Sequence, residues 1–269
     1  MPGRLEGKIC IVVGGGQTAG ATIGNGKATA LRFAQEGACV VVADRHQDAA
    51  SQTVAEMAAM GGTGLAAYVD ITQEDTIRQL VTQCVEQFGR IDVLHNNVGI
   101  SSEGGDCAID CITEDVFDRI HVVNLRGMAM TCKHALAVMV RQGAGVIVNI
   151  SSIAATYAHP TLAYKTSKAG VLALTQHIAI KYAKVGIRAN CIVPGSLLTP
   201  MAVDGAARRK GIDPADLSAQ RDARVPLRNK QGTAWDVANA ALFLASDEAN
   251  FITGVNLPVD GGALAYAGI

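Results

Sequence analysis

The sequence predicts an α/β protein with one doubly wound parallel sheet and helices on both of its faces. Two observations carry this reading. Strand and helix signals alternate from end to end of the 269 residues, a pattern that implies right-handed βαβ crossovers. Apolar residues make up 49 % of the chain and aromatics only 4 %, so the core has to be built from Val, Ile, Leu and Ala, which suits helices packed on a parallel sheet. The length permits one large domain or two small ones. No repeat, charge run or low-complexity tract interrupts the alternation, which favours a single domain over residues 1–269.

The elements follow in order. Residues 8–13 are a short β-branched run that ends in glycines; with no small-residue cleavage site behind it, it reads as a first strand and not as a signal peptide. Glycines recur at 20, 24 and 26, where a helical period opens over 26–35. Strand signals at 39–43, 65–69, 91–95, 146–150 and 188–193 are separated by helical periods at 48–60, 74–88, 114–139 and 163–183. A helix over 234–245 and a strand near 254–259 close the chain. Between them, residues 196–232 mix Leu197, Leu198, Met201, Val203 and Leu217 with seven bases, including Arg208, Arg209, Arg221 and Arg224, against four acids. That segment is where a substrate is expected. Its bases are either solvated helical faces or a means of recognising a carboxylate.

Composition excludes several classes. A formal charge of −1 gives no reason to expect nucleic acid or an anionic membrane as partner. No uninterrupted apolar stretch approaches the roughly 18 residues of a spanning helix, so a soluble, cytoplasmic protein is expected. Seven cysteines with no export signal argue against a disulfide framework. Cys10, Cys39 and Cys191 lie in apolar strand runs, where a thiol is a small hydrophobe. Cys107 and Cys111 have a spacing a metal could use, but no histidine follows at a sensible distance, and no metal site is expected.

In a parallel sheet, ligands collect at the carboxyl ends of the strands, and polar residues fall there. After the first strand, GGGQTAGATIGNG offers backbone amides and a helix N-terminus, the requirements for a pyrophosphate; Gly15, Gly24, Asn25 and Gly26 are the candidates. Asp44 ends the second strand where a carboxylate would hydrogen-bond an adenosine ribose and repel a 2′-phosphate. That favours NAD over NADP, although Arg45 next to it could accept such a phosphate. Asp70, Asn96, Asn97 and Gly99 follow two further strands; each could be an ordinary turn residue, but their shared edge favours a common ligand. Ser151 and Ser152 end another strand, and Tyr164 and Lys168 stand four apart in a helical period, on one face. A fixed ammonium would stabilise the phenolate and let Tyr164 exchange a proton with an alcohol; the bland alternative is a packed ring and a solvated amine.

Together these residues resemble the classical short-chain dehydrogenase/reductase family, a Rossmann-type fold, over essentially the whole chain. The motifs are the glycine-rich turn, VDIT around Asp70, HNNVG at 95–99, VNLRG with Asn124, VNISS at 148–152, YKTSK at 164–168, VPGSLLTP at 193–200 and the closing FITGVNLPVDGG. The resemblance implies Tyr164 as acid/base, Lys168 on the nicotinamide ribose, a serine orienting the substrate oxygen and Asn124 anchoring a water in a proton relay. It also implies Asp70 and Ile71 around the adenine, Asn96 near the adenosine-side ribose, and Pro194, Gly195, Leu197 and Thr199 around the carboxamide and phosphates. Two departures stand out. The glycine turn holds about five extra residues, a length similar to that of enoyl-thioester reductases, whose Tyr and Lys are more widely spaced than in YKTSK. Ser152 lies one residue closer to Tyr164 than is usual, whereas Ser151 has the usual spacing; Ser152 is chosen, because a one-residue slip at a strand end turns a side chain to the opposite face.

The expectation is thus an NAD-dependent enzyme interconverting a secondary alcohol and a ketone. Alternatives are an NADPH-dependent ketoreductase and a non-catalytic dinucleotide-binding protein. The apolar C-terminal region and long apolar helices, with the resemblance, lead us to expect a homotetramer.

Overall fold

The computed structural model describes residues 2–17, 20–101, 105–157 and 159–266. The first half runs β1 (Ile9–Val13), α1 (Asn25–Gln35), β2 (Cys39–Asp44), α2 (Gln47–Ala59), β3 (Thr63–Tyr68), α3 (Glu74–Phe88) and β4 (Val93–Asn96). The second half runs α4 (Glu114–His121), a π-helical turn at Val122–Arg126, α5 (Gly127–Gln142), β5 (Gly145–Ile150), α6 (Leu162–Tyr182) and β6 (Ile187–Pro194). Two short strands, β7 (Leu197–Leu198) and β8 (Gly232–Thr233), pair with each other and flank α7 (Ala206–Lys210) and α8 (Pro214–Asp222). The chain ends through α9 (Ala234–Ala245) and β9 (Asn256–Val259).

The main sheet has the order β3-β2-β1-β4-β5-β6-β9, and every pair in it is parallel. Its direction of winding reverses between β1 and β4, the switch point at which such sheets open a crevice. The inner strands are buried on both faces, as in β1, where Cys10 to Val13 are all inside. Cys10, Val12, Val40 and Val42 pack on Phe33 of α1, Met57 of α2 and Leu242 of α9. Ile11, Val13 and Val41 face the other way, toward Ile77 and Leu80 of α3, Ala135 of α5 and Ile178 of α6.

Local chemistry sets the boundaries. β4 starts at Val93 and not at 91, because both backbone groups of Ile91 are taken by the Gln142 side chain. The closing strand begins at Asn256, two residues late, after Gly254 turns with φ of 78°. The single helix expected over 114–139 is divided by the π-helical turn. Asp213 caps α8 through the Ala215 N–H at 2.7 Å with Pro214 behind it, and Thr233 and Asp236 form a reciprocal capping box on α9. One cysteine pair departs from expectation: Cys107 and Cys111, four apart in a turn, are joined as a disulfide.

Candidate active site

The principal cleft, about 390 Å³, opens at the carboxyl ends of β1, β2, β4, β5 and β6. Its first wall is the glycine turn. The N-terminus of α1 has no side-chain cap, so the amides of its first turn face the cleft with the positive end of the helix dipole behind them. Gly24, Asn25 and Gly26 line it. A Cβ on Gly26 would overlap the Gly14 carbonyl, so only glycine lets helix and strand end approach this closely. Gly15, expected here, is instead turned against Val12 and Val42, with its carbonyl accepting from Thr53 Oγ1 at 3.0 Å; Gly14 and Gly16 on either side face the cleft. Gly20, among the extra residues of the turn, lies against Pro200 at the cleft, since a Cβ on it would press against Pro200 and the Asp204 carboxylate.

Asp44 stands at the end of β2 with its two oxygens accepting from the Gly16 N–H at 3.1 Å and the His46 N–H at 3.0 Å. Arg45 and His46 join it in the lining, and the Arg45 Nε donates to His46 Nε2 at 3.2 Å. Asp70 and Ile71 also line the cleft. Although partial burial works the other way, bonds from Thr72 and Gln73 hold the Asp70 carboxyl below its usual range. Glycines, an uncapped helix and a strand-end carboxylate fit a dinucleotide: the α1 amides would take the pyrophosphate and Asp44 an adenosine ribose.

Asn96, expected near that ribose, does not line the cleft. Its amide is buried, donating to Asn149 Oδ1 at 2.9 Å and accepting from Thr131 Oγ1 at 2.7 Å, while Asn149 donates on to Thr175 of α6 at 3.0 Å. Strand alternation explains it: Asn96 points into the helices and Asn97 toward the cleft. Gly99 does line the cleft, and a Cβ there would meet Lys168 Nζ at 3.0 Å.

Tyr164, Lys168, Ser151 and Ser152 meet at the far end of the cleft. Lys168 Nζ lies 5.8 Å from the centre of the Tyr164 ring and donates to the Ile150 carbonyl at 3.0 Å. Burial lowers its pKa to about 8. The serines divide as strand alternation requires. Ser151 Oγ is buried, donating to the Lys168 carbonyl at 2.8 Å, whereas Ser152 Oγ accepts from the Ala154 N–H at 3.2 Å and donates to no acceptor among the described residues. Asn124 lies behind this group. It accepts from the Ile100 N–H at 2.8 Å and donates to the Ile100 carbonyl at 2.9 Å and to Ser167 Oγ at 3.0 Å. The side chain expected to anchor a water is thus committed to the loop after β4. His159 sits beside Tyr164 with ring centres 5.8 Å apart; burial lowers its pKa, and its Nδ1 bonds the Thr161 hydroxyl at 2.9 Å.

The remaining wall comes from Pro194, Gly195, Leu197 and Thr199, continuing into Pro200 and Met201. Arg221, half-buried in α8, is held by Gln231 Oε1 at 2.7 Å and lies outside the cleft lining. Among the described residues no group of three or more His, Cys, Asp or Glu could hold a metal ion, and no helix is long and apolar enough to cross a membrane.

Comparison with known proteins agrees with this geometry. The sequence profile of a family described as enoyl-(acyl carrier protein) reductase matches residues 20–263. The chain is 36 % identical over 263 residues to a 2,5-dichloro-2,5-cyclohexadiene-1,4-diol dehydrogenase of Sphingobium indicum, covering 97 % of this chain and 98 % of that one. It is 38 % identical over 248 residues to a 2-(R)-hydroxypropyl-CoM dehydrogenase of Xanthobacter autotrophicus, covering 91 % and 96 %. The crystal structure of a short-chain dehydrogenase/reductase from Burkholderia xenovorans superposes with a TM-score of 0.92 at 38 % identity, over 99 % of this chain and 100 % of that one. The chain belongs to the short-chain dehydrogenase/reductase family of oxidoreductases, which work with a nicotinamide dinucleotide.

Proposed function

We propose that the protein is an NAD-dependent dehydrogenase that interconverts a secondary alcohol and a ketone, with Tyr164 as acid/base. The observation that carries this is the Tyr164–Lys168 pair facing the dinucleotide cleft beside Ser152. The dinucleotide, when bound, supplies the hydride acceptor or donor. The chain does the rest. Ser152 donates its hydroxyl hydrogen to the substrate oxygen and fixes the carbinol. Tyr164, as phenolate, accepts the hydroxyl proton, and in reduction returns it. The Lys168 ammonium stabilises the phenolate and grips a ribose, and its burial makes both interactions stronger than they would be in water.

Asp44 supports NAD, because its fixed carboxylate would face a 2′-phosphate. The NADP reading is favoured by one observation, the exposed Arg45 beside it. Relatives named for a cyclohexadiene diol and for 2-(R)-hydroxypropyl-CoM support a secondary carbinol as substrate. A homotetramer belongs to the same reading, supported by the exposed apolar side chains on α6 and just before β9; so does cytoplasmic residence, supported by five unpaired thiols and opposed by the Cys107–Cys111 disulfide. The test is a panel of 2-butanol, cyclohexanol, cis-1,2-cyclohexanediol and their ketones with NAD and NADP, followed at the nicotinamide absorbance. Turnover with NAD is expected; turnover with NADP alone would overturn the cofactor assignment, and none with either would overturn the reading.

A further inference from the structure

We propose that Asp106 is a positioning residue for Tyr164, reaching from the loop after β4 to hold the first turn of α6. The inference rests on the reading of Tyr164 as acid/base. The N-cap of α6 is Thr161, whose side chain does not cap the helix and goes instead to His159. The first three amides of the helix are satisfied from a distant part of the chain. Cys107 offers its carbonyl to the Leu162 N–H at 2.9 Å, Asp106 Oδ1 accepts from the Ala163 N–H at 3.0 Å, and Asp106 Oδ2 accepts from the Tyr164 N–H at 2.7 Å. The carboxylate is 8 % exposed, and among the described residues it forms no salt bridge. Its counter-charge is the positive end of α6.

The two members of the pair are therefore held by different elements. Lys168 is fixed to β5 twice, by its ammonium on the Ile150 carbonyl and by its own carbonyl accepting from Ser151 Oγ. Tyr164 lies a full turn nearer the helix end, where chains fray unless their free amides are bonded, and the Asp106–Cys107 segment bonds them. The Cys107–Cys111 link closes the turn behind that segment. Without the carboxylate, Tyr164 moves relative to Lys168 and Ser152 while Lys168 stays. Turnover should suffer and dinucleotide affinity should not.

Asp106→Ala, Asp106→Asn and Tyr164→Phe in the full chain test this with the best alcohol of the panel. Expected for Asp106→Ala is a kcat lower by at least about tenfold, since a misplaced reacting group costs that much or more. Its NAD dissociation constant by calorimetry should be unchanged, and hydrogen exchange at the amides of residues 162–164 faster than in the parent. Asp106→Asn keeps one acceptor and should fall between; it also decides the matter if the alanine variant does not fold, an unchanged kcat there being adverse. A kcat equal to the parent's in Asp106→Ala, or a loss matched by weaker NAD binding, overturns the proposal, the second outcome marking a merely structural residue. If Tyr164→Phe turns over normally, the acid/base reading falls and this inference with it; if only Asp106→Ala does, the inference falls alone.

Discussion

At the scale of the residue, Tyr164 bears on the reaction and His95 on stability. Replacing Tyr164 by Phe removes one hydroxyl and keeps the ring, so the packing of α6 stays intact while the proton of the alcohol loses its acceptor. A positioned acid/base group contributes typically about 10²–10⁴-fold; a single-turnover rate lower by that factor, with an NAD dissociation constant close to the parent's, is expected. His95 sits inside β4 with neither ring nitrogen bonded among the described residues and its ring roughly perpendicular to that of Phe33, and burial lowers its pKa to about 3. The native ring thus stays neutral while the unfolded one takes a proton below its ordinary pKa of about 6.5. Between those two values stability falls as pH falls, by about 1.4 kcal/mol per pH unit. His95→Leu should remove this component. Urea midpoints for parent and variant should diverge in the variant's favour from pH 6 to pH 4; a constant difference would mean that His95 is not the group responsible.

At the scale of the element, the π-helical turn at Val122–Arg126 shows what sequence periodicity misses. Residues 114–139 have the apolar spacing of one helix, and nothing in that spacing marks the bulge that turns Asn124 inward. There it joins the loop at Ile100 to Ser167 of α6. Asn124→Ala leaves both backbone groups of Ile100 without partners, at about 1–3 kcal/mol for a buried group; because Ile100 lines the cleft, a lower melting temperature and weaker NAD binding should appear together. Unchanged affinity would show that the loop keeps its place without the bond. The strand ends, by contrast, were legible. Asp44, Asp70 and Gly99 line the cleft because each stands at the carboxyl end of a strand of the parallel sheet, and alternation sends Ser151 Oγ to the Lys168 carbonyl and Ser152 the other way. Asn96 and Gly15 were misassigned for a related reason, since neighbours in a strand face opposite ways and the register was off by one. Asp106 carries no local signal at all. Its partners are 57 and 58 residues away, a relation that only the folded chain creates.

At the scale of the whole molecule, the described chain leaves apolar surface that its own core does not cover. Ile180 on α6 is 78 % exposed and Phe251 before β9 is fully exposed, while a shallow depression between α5 and α6 is lined by Leu136, Val140, Leu174 and Ile178. Burial in a symmetric interface would remove this surface from water, so light scattering should give the mass of a tetramer; a monomer at micromolar concentration counts against it. The contact between Gly20 and the turn at Pro200 and Asp204 bears on timing. Pro200 lines the cleft and Gly20 lies against it; where a long ligand leaves past this contact, its departure becomes the slowest event of the cycle. A stopped-flow record of alcohol oxidation would then open with a rapid burst of NADH equal to the number of sites, followed by a slower steady rate. In Tyr164→Phe the burst should vanish, because chemistry itself becomes the delay, and a trace that is linear from the start in the parent would show that the product leaves faster than the hydride moves.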